Sequence, residues 1–302
     1  MQRQVSKTHI PKFRIRCSAI GKIMSEPRGK SVRQKIAEAE LQLSAVNDKM
    51  AVTKPTLKTF SNLQEKAAAL SRQILELKKI EDQPNLSQTC ISYLESWVNE
   101  FVYGRRIEFT SKYTTKGSAV EEEAIVYVSG HIPEMGLSSK NLERFANDFL
   151  EGEPDVLAED IVFDMKSSWS HDTFPLYCTE IPETDYDWQV KGYMHLTNRK
   201  SGRVVFVLMN MPEEMVLRDA KYKLGNEYTE EEFRAFAAKF NYDDLPPYLR
   251  IKEFHVQYDD AAIEAIKKRV EECRWYIENV IIPQLEANAA KYYDPTEEEK
   301  EF

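Results

Sequence analysis

The sequence has little sulfur with which to brace or activate itself. Among 302 residues there are four cysteines, Cys17, Cys90, Cys178 and Cys273, and no two form a C-x-x-C pair. That excludes a disulfide scaffold and leaves structural zinc or an iron–sulfur cluster without ligands at the required spacing. The five histidines make no H-E-x-x-H or H-x-x-x-H pair, so any metal would be held mainly by carboxylates. Also missing is an apolar run near the roughly 18 to 20 residues that cross a bilayer, and the basic N-terminus leads into no apolar signal core. The chain is therefore expected to be soluble and intracellular, with no membrane partner. It has neither an internal repeat nor a low-complexity segment.

What is present is a core-forming composition, 42% hydrophobic and 30% charged, enough for one large domain or two small ones. The net charge of −9 argues against indiscriminate binding to a polyanion. Residues 1–35 reverse that sign, with ten basic side chains against Glu26 alone. This segment reads either as a phosphate-binding arm or as a solvated basic tail.

Periodicity divides the chain. Residues 1–30 run as extended chain through Phe13 to Arg16 and then a short helix that Ser18 is placed to cap. Apolar residues at Ile36, Ala39, Leu43, Val46 and Met50, and again at Leu63, Ala67, Leu70, Ile74 and Leu77, repeat at threes and fours. Two such helices around Thr53-Lys54-Pro55-Thr56 predict an antiparallel hairpin, residues 31–82, inserted into the fold. It suits a stabilising arm, an oligomer contact or a moving clamp on DNA. From 83 to 293 the pattern is mixed: helices over about 87–103 and 117–128, strand-like runs at 149–150, 156–158, 161–165, 203–209 and 251–256, and helices over 229–240 and from 259 past Trp275. The acidic tail, 294–302, should fray.

The chemistry concentrates between Gly152 and Lys166. Two strand-like runs flank Glu159-Asp160, predicting a tight β-hairpin. Alternation along the second strand sets Asp164 and Lys166 on one face and Phe163 and Met165 on the other. Asp155, in the chain's only Pro-Asp dipeptide, then comes near Asp164 from the partner strand. Two close carboxylates repel and need a cation between them, and hard oxygen ligands favour Mg²⁺ or Mn²⁺. A lysine beside them can orient or help deprotonate an attacking water, the arrangement of metal-assisted phosphodiester hydrolysis. A D-x-K triplet alone is weak, since Asp219-Ala220-Lys221 is a second one. The conjunction with Pro154-Asp155 and the hairpin pattern is what carries weight.

With these residues in place, the sequence resembles the PD-(D/E)XK nuclease superfamily and, within it, the lambda-exonuclease-like, YqaJ-type viral recombinase family. Asp155, Asp164 and Lys166 match the core motif, Gly117-Ser118-Ala119-Val120-Glu121 an upstream glycine and helical glutamate, and Gln189-Val190-Lys191-Gly192-Tyr193 the motif Q-x-x-x-Y. The resemblance implies an α/β (α+β) restriction-endonuclease-like core, a central mixed sheet flanked by helices. It further implies Asp155 and Asp164 as metal ligands with the Met165 carbonyl, Glu121 as a ligand or water-holding residue, and Lys166 as the catalytic lysine. Gln189 and Tyr193 would contact DNA, and Arg14, Arg16 and Ser18 would grip a 5′-phosphate. Without the resemblance, Glu121 also reads as a helix-dipole acid beside Glu122 and Glu123, and Gln189 and Tyr193 as polar packing on a helix that Thr184 is placed to cap.

The expected function is a Mg²⁺-dependent exonuclease, 5′ to 3′ on linear double-stranded DNA, in phage-type recombination. Its expected partners are duplex DNA ends, a single-strand annealing protein and further copies of itself, in the cytoplasm of a bacterial host if the chain is of phage origin. The rival readings are a structure-specific or RecB-like repair endonuclease and a non-catalytic DNA-end binding or assembly protein. Trp169 and His171 are expected to pack in core and loop rather than to stack on a base.

Overall fold

Ser31 begins the first long helix by accepting from the Gln34 amide while the Gln34 side chain accepts from the Ser31 amide, a reciprocal cap. The computed structural model describes residues 10–107, 111–225 and 227–292, so the start of the basic segment and the acidic tail lie outside the described residues. The described chain forms two units, one holding Ser25–Val98 and the chain from Glu271 on, the other His9–Met24 and Asn99–Val270.

In the first unit, α2 (Val32–Val52) and α3 (Lys58–Lys78) pair as the periodicity predicts. Ala39, Val46, Leu70 and Ile74 are buried along the seam, with Leu43, Met50, Leu63 and Ala67 packed against them. Lys78 pairs with Glu40 at 2.8 Å, which sets the end of α3 beside the early turns of α2 and makes the pair antiparallel. The division between the units falls within α4 (Gln88–Val102) and α9 (Asp260–Tyr276), so the stretch 83–293 is not one unit. A π-helical turn, Ile277–Ile281, joins α9 to α10 (Ile282–Tyr292).

The second unit is a mixed α+β body. A small sheet sets β1 (Ile15–Arg16) parallel to β3 (Leu150–Gly152), with β2 (Phe145–Ala146) antiparallel on the far side of β3. The larger sheet has the order β4 (Val156–Ala158), β5 (Ile161–Ser167), β6 (Ser201–Val207), β7 (Ile251–Gln257); β5 and β6 are parallel and the outer pairings antiparallel. The parallel pair requires a crossover, which α6 (Thr184–Thr197) supplies. On one face, Val120, Ala124, Ile125 and Val128 of α5 (Lys112–Ser129) bury against Phe163, Met165, Val205 and Val207. On the other, α6 approaches β6 so closely that a Cβ at Gly202 would lie 2.3 Å from Val190 Cγ1, so only glycine fits there.

Several local expectations are corrected. Ser18 caps nothing: Cys17–Ala19 is a 3-10 turn leading into α1 (Ile20–Met24). Thr184 is the first residue of α6 rather than its cap, which is Glu183 without a side-chain bond. The α5 helix starts at Lys112, capped by Ser111, five residues before the expected start. The α7 helix (Glu213–Leu224), absent from the sequence reading, precedes α8 (Glu230–Ala237) and carries the second D-x-K triplet. Among the described residues no helix is long and apolar enough to cross a membrane.

Candidate active site

The hairpin β4–β5 turns on Glu159-Asp160, with Val156 opposite Phe163 and Ala158 opposite Ile161. Glu159 sits at φ 40°, a conformation that side chains rarely adopt, and its carbonyl accepts from Arg199 Nε at 2.9 Å. Continuing the register brings Asp155 level with Asp164. The Asp155 Oδ2 atom accepts from the Met165 amide at 2.6 Å, so the carboxylate reaches across to the neighbouring strand.

Asp164 is fully buried. Lys166 Nζ stands 2.8 Å from its Oδ2, but not in line for a hydrogen bond, and neither carboxylate oxygen accepts one. Burial raises the Asp164 carboxyl pKa against the pull of Lys166. Asp155 is pushed up to about 7, first by burial and then by the charge of Asp164, with Lys166 and the Met165 amide opposing. Burial alone would lower the Lys166 ammonium, yet Asp164 and Asp155 outweigh it and leave the group raised. The site thus holds excess negative charge in a dry place.

Glu121 lies well inside α5, nine residues beyond Lys112, and this removes its reading as a helix-dipole acid, an effect confined to the first turn. Its Oε2 accepts from Lys140 Nζ at 2.8 Å. The loop carrying Lys140 is fastened next to Asp155: the Asn141 amide donates to the Asp155 carbonyl at 2.8 Å and Asn141 Nδ2 to the Pro154 carbonyl at 3.0 Å. The Lys140 ammonium is held above its usual pKa by Glu121 and, more weakly, by Asp155. Among the described residues no three His, Cys, Asp or Glu side chains stand together as a ready-made metal cluster.

On α6, Gln189 and Tyr193 share a face. Lys166 Nζ donates to Gln189 Oε1 at 3.4 Å, and Gln189 Nε2 to the Tyr193 hydroxyl at 3.0 Å. Burial, followed by the charge of Asp164, raises the Tyr193 phenol. Tyr193 also lines a cavity of about 230 Å³ with Arg16, Ser18, Arg106, Arg144, Glu151, Gly152 and Glu153. A Cβ on Gly152 would lie 2.6 Å from the Tyr193 ring. Arg16 pairs with Glu100 at 2.8 Å and Arg144 with Glu151 at 2.8 Å. Arg14 is exposed and lines no part of this cavity.

The fold has a solved counterpart. A crystal structure of a phage related exonuclease from Haemophilus somnus 129PT aligns over 92% of this chain and 100% of its own, with TM-score 0.62 and 22% identity. The chain shares that fold. An alkaline exonuclease from Laribacter hongkongensis aligns over 93% of this chain and 95% of its own, with TM-score 0.49 and 13% identity. No family model matches the chain, and no curated protein does. The α+β core expected from the sequence is thus a fold that the phage related exonuclease shares.

Four further residues bear on the site. Arg106 and Arg144 complete the cavity around Arg16; the basic turn Gly104-Arg105-Arg106 was the visible signal for the first of them. Lys140 holds Glu121. Lys116 is fully buried, its ammonium donating to the carbonyls of Ser168 at 2.7 Å, Trp169 at 3.0 Å and Met209 at 2.8 Å. Burial lowers it to about 8, and three carbonyl acceptors work the other way, because only the ammonium uses all three donors. Trp169 packs with the core around Met211 and Met215, and the His171 ring is exposed beside Tyr242.

Proposed function

We propose that this protein is a divalent-metal-dependent exonuclease that hydrolyses phosphodiester bonds of linear double-stranded DNA, working from the 5′ end. The observation that carries the reading is the β4–β5 hairpin, which joins Asp155, Asp164 and Lys166 in one dry, negatively charged patch of a fold shared with a phage related exonuclease.

The residues fit a small hard cation. Asp164 has two buried oxygens without a hydrogen-bond donor, and Asp155 is penalised for its charge by burial and then by Asp164; a cation relieves both. Asp155, Asp164 and the Met165 carbonyl would hold Mg²⁺ or Mn²⁺, with Glu121 joining on release from Lys140. The ion would supply Lewis acidity toward the phosphate and a more acidic water. Lys166 is placed to orient that water or hold a proton at Nζ, with Gln189 Oε1 within reach of the ammonium. The cavity around Arg16, Ser18, Arg106 and Arg144 offers guanidinium donors to a terminal phosphate in exchange for Glu100 and Glu151. The strand left after digestion suits a single-strand annealing protein in phage-type recombination.

Digestion of 5′-phosphorylated linear duplex beside closed circular DNA, with Mg²⁺ and with EDTA, tests the reading. Loss of linear DNA alone, requiring metal and Lys166, is the expected result. Cutting of the circle would reassign the protein as an endonuclease. Binding to DNA ends without cleavage, from folded protein in Mg²⁺ and in Mn²⁺, would leave an assembly role.

A further inference from the structure

Lys166 is held by more than a carboxylate and an amide. Its Nζ lies 4.6 Å from the centroid of the Tyr186 ring, within the range of a cation–π contact. Tyr186, Gln189 and Tyr193 recur at three and four residues along α6, so one helix face presents all three toward Lys166 and Asp164. The Tyr186 ring is itself braced. Phe206 meets it edge-on at 5.9 Å and 64°, and Phe206 stands directly opposite Lys166 in the β5–β6 register. Phe254 on β7 backs Phe206 in turn, at 5.8 Å and 83°.

The contact answers a need of the lysine. Its side chain keeps 21% exposure and has four rotatable bonds, its amide partner is at the long limit of 3.4 Å, and its carboxylate partner is out of line. The ion pair holds the ammonium at Asp164, but the amide contact is weak and leaves the other side open. The ring face of Tyr186, braced by Phe206, closes that side.

We propose that Tyr186 is a positioning residue for Lys166, its ring face rather than its hydroxyl holding the ammonium toward the reacting phosphate. The proposal rests on the nuclease reading of the site. It separates ring from hydroxyl and from bulk: Tyr186→Leu removes the π face but keeps an apolar side chain on Phe206, while Tyr186→Phe keeps the face and removes the hydroxyl.

The test is steady-state cleavage of linear duplex by both variants, together with the ring-current shift of the Lys166 ε-methylene protons in lysine-labelled protein. Tyr186→Leu should lower kcat by about tenfold with KM and melting temperature unchanged. Tyr186→Phe should recover most of that loss. The upfield shift should be present in wild type and Tyr186→Phe and absent in Tyr186→Leu. Equal damage by Phe and Leu overturns the proposal. Cleavage by wild type with no ring-current shift overturns it alone. A shift without any cleavage overturns the nuclease reading and this role with it.

Discussion

The helical hairpin α2–α3 and the strand hairpin β4–β5 are both antiparallel pairs closed by short turns, yet opposite means hold them. The first buries an apolar seam and leaves its ion pairs half-exposed, as with Lys78 and Glu40. The second buries its charges: Asp164 is inaccessible, Asp155 leans on the Met165 amide, and Lys166 stands between carboxylate and ring. In the helical pair, pattern and packing agree, and a capping box starts α2, as in a segment selected for stability. The strand pair sets two acids together in a dry place at a cost in stability, as the proposed cation and its chemistry would require.

That contrast can be broken by substitution. In the strand hairpin, Asp164→Asn should reduce cleavage by about 10³-fold or more, in the range lost with a group acting on the reacting centre. Its melting temperature in EDTA should not fall, because the replaced charge was unfavourable. A fall in melting temperature matching the loss of activity would make Asp164 a structural residue. In the helical hairpin, Ile74→Ala should cost about 2–4 kcal/mol of local stability through the cavity it leaves, read as faster hydrogen exchange in α2 and α3, with kcat on linear duplex unchanged. A drop in kcat would give the hairpin a part in cleavage.

A third effect is one of pH. Asp155 is raised in the folded protein from 3.8 to about 7, so between those values the native state binds more protons than the unfolded chain. The stability this group contributes is complete below about pH 4 and is lost as pH rises through 7. Melting in EDTA should therefore lose stability relative to Asp155→Asn between pH 4 and 7, and added Mg²⁺ should cancel the difference at pH 7. Parallel curves for the two proteins would place Asp155 in a solvated setting.

The two hairpins were also the most legible parts of the sequence, because each rests on a local period, of 3.5 residues for one and two for the other. Alternation placed Asp164 and Lys166 on one face and Phe163 and Met165 on the other, as the structure does. Tertiary features were less visible. Ser18 lies in the 3-10 turn before α1 and Thr184 is itself the first residue of α6, so neither is a cap: a hydroxyl near a helix start does not say which turn it serves. The α7 helix was hidden by the acid-rich, strand-free stretch around it, although Met215, Val216 and Ala220 bury one side. Lys116 stands in the stripe continued by Val120, Ala124 and Val128; a charged residue there reads as solvated until its acceptors on two strand ends are seen.

The bonds of Lys116 also act at a distance from the lysine itself. The three carbonyls belong to the chain just past β5 and β6, and the ammonium pins α5 to both strand ends at one register. Glu121 follows five residues along the same helix, roughly 7.5 Å and 140° round the axis. A slip of α5 by a single residue would swing Glu121 by about 100° and strand the ammonium among apolar neighbours. Lys116 therefore works as an alignment pin: it sets the angular position of an acid on one element against a pair of acids on another.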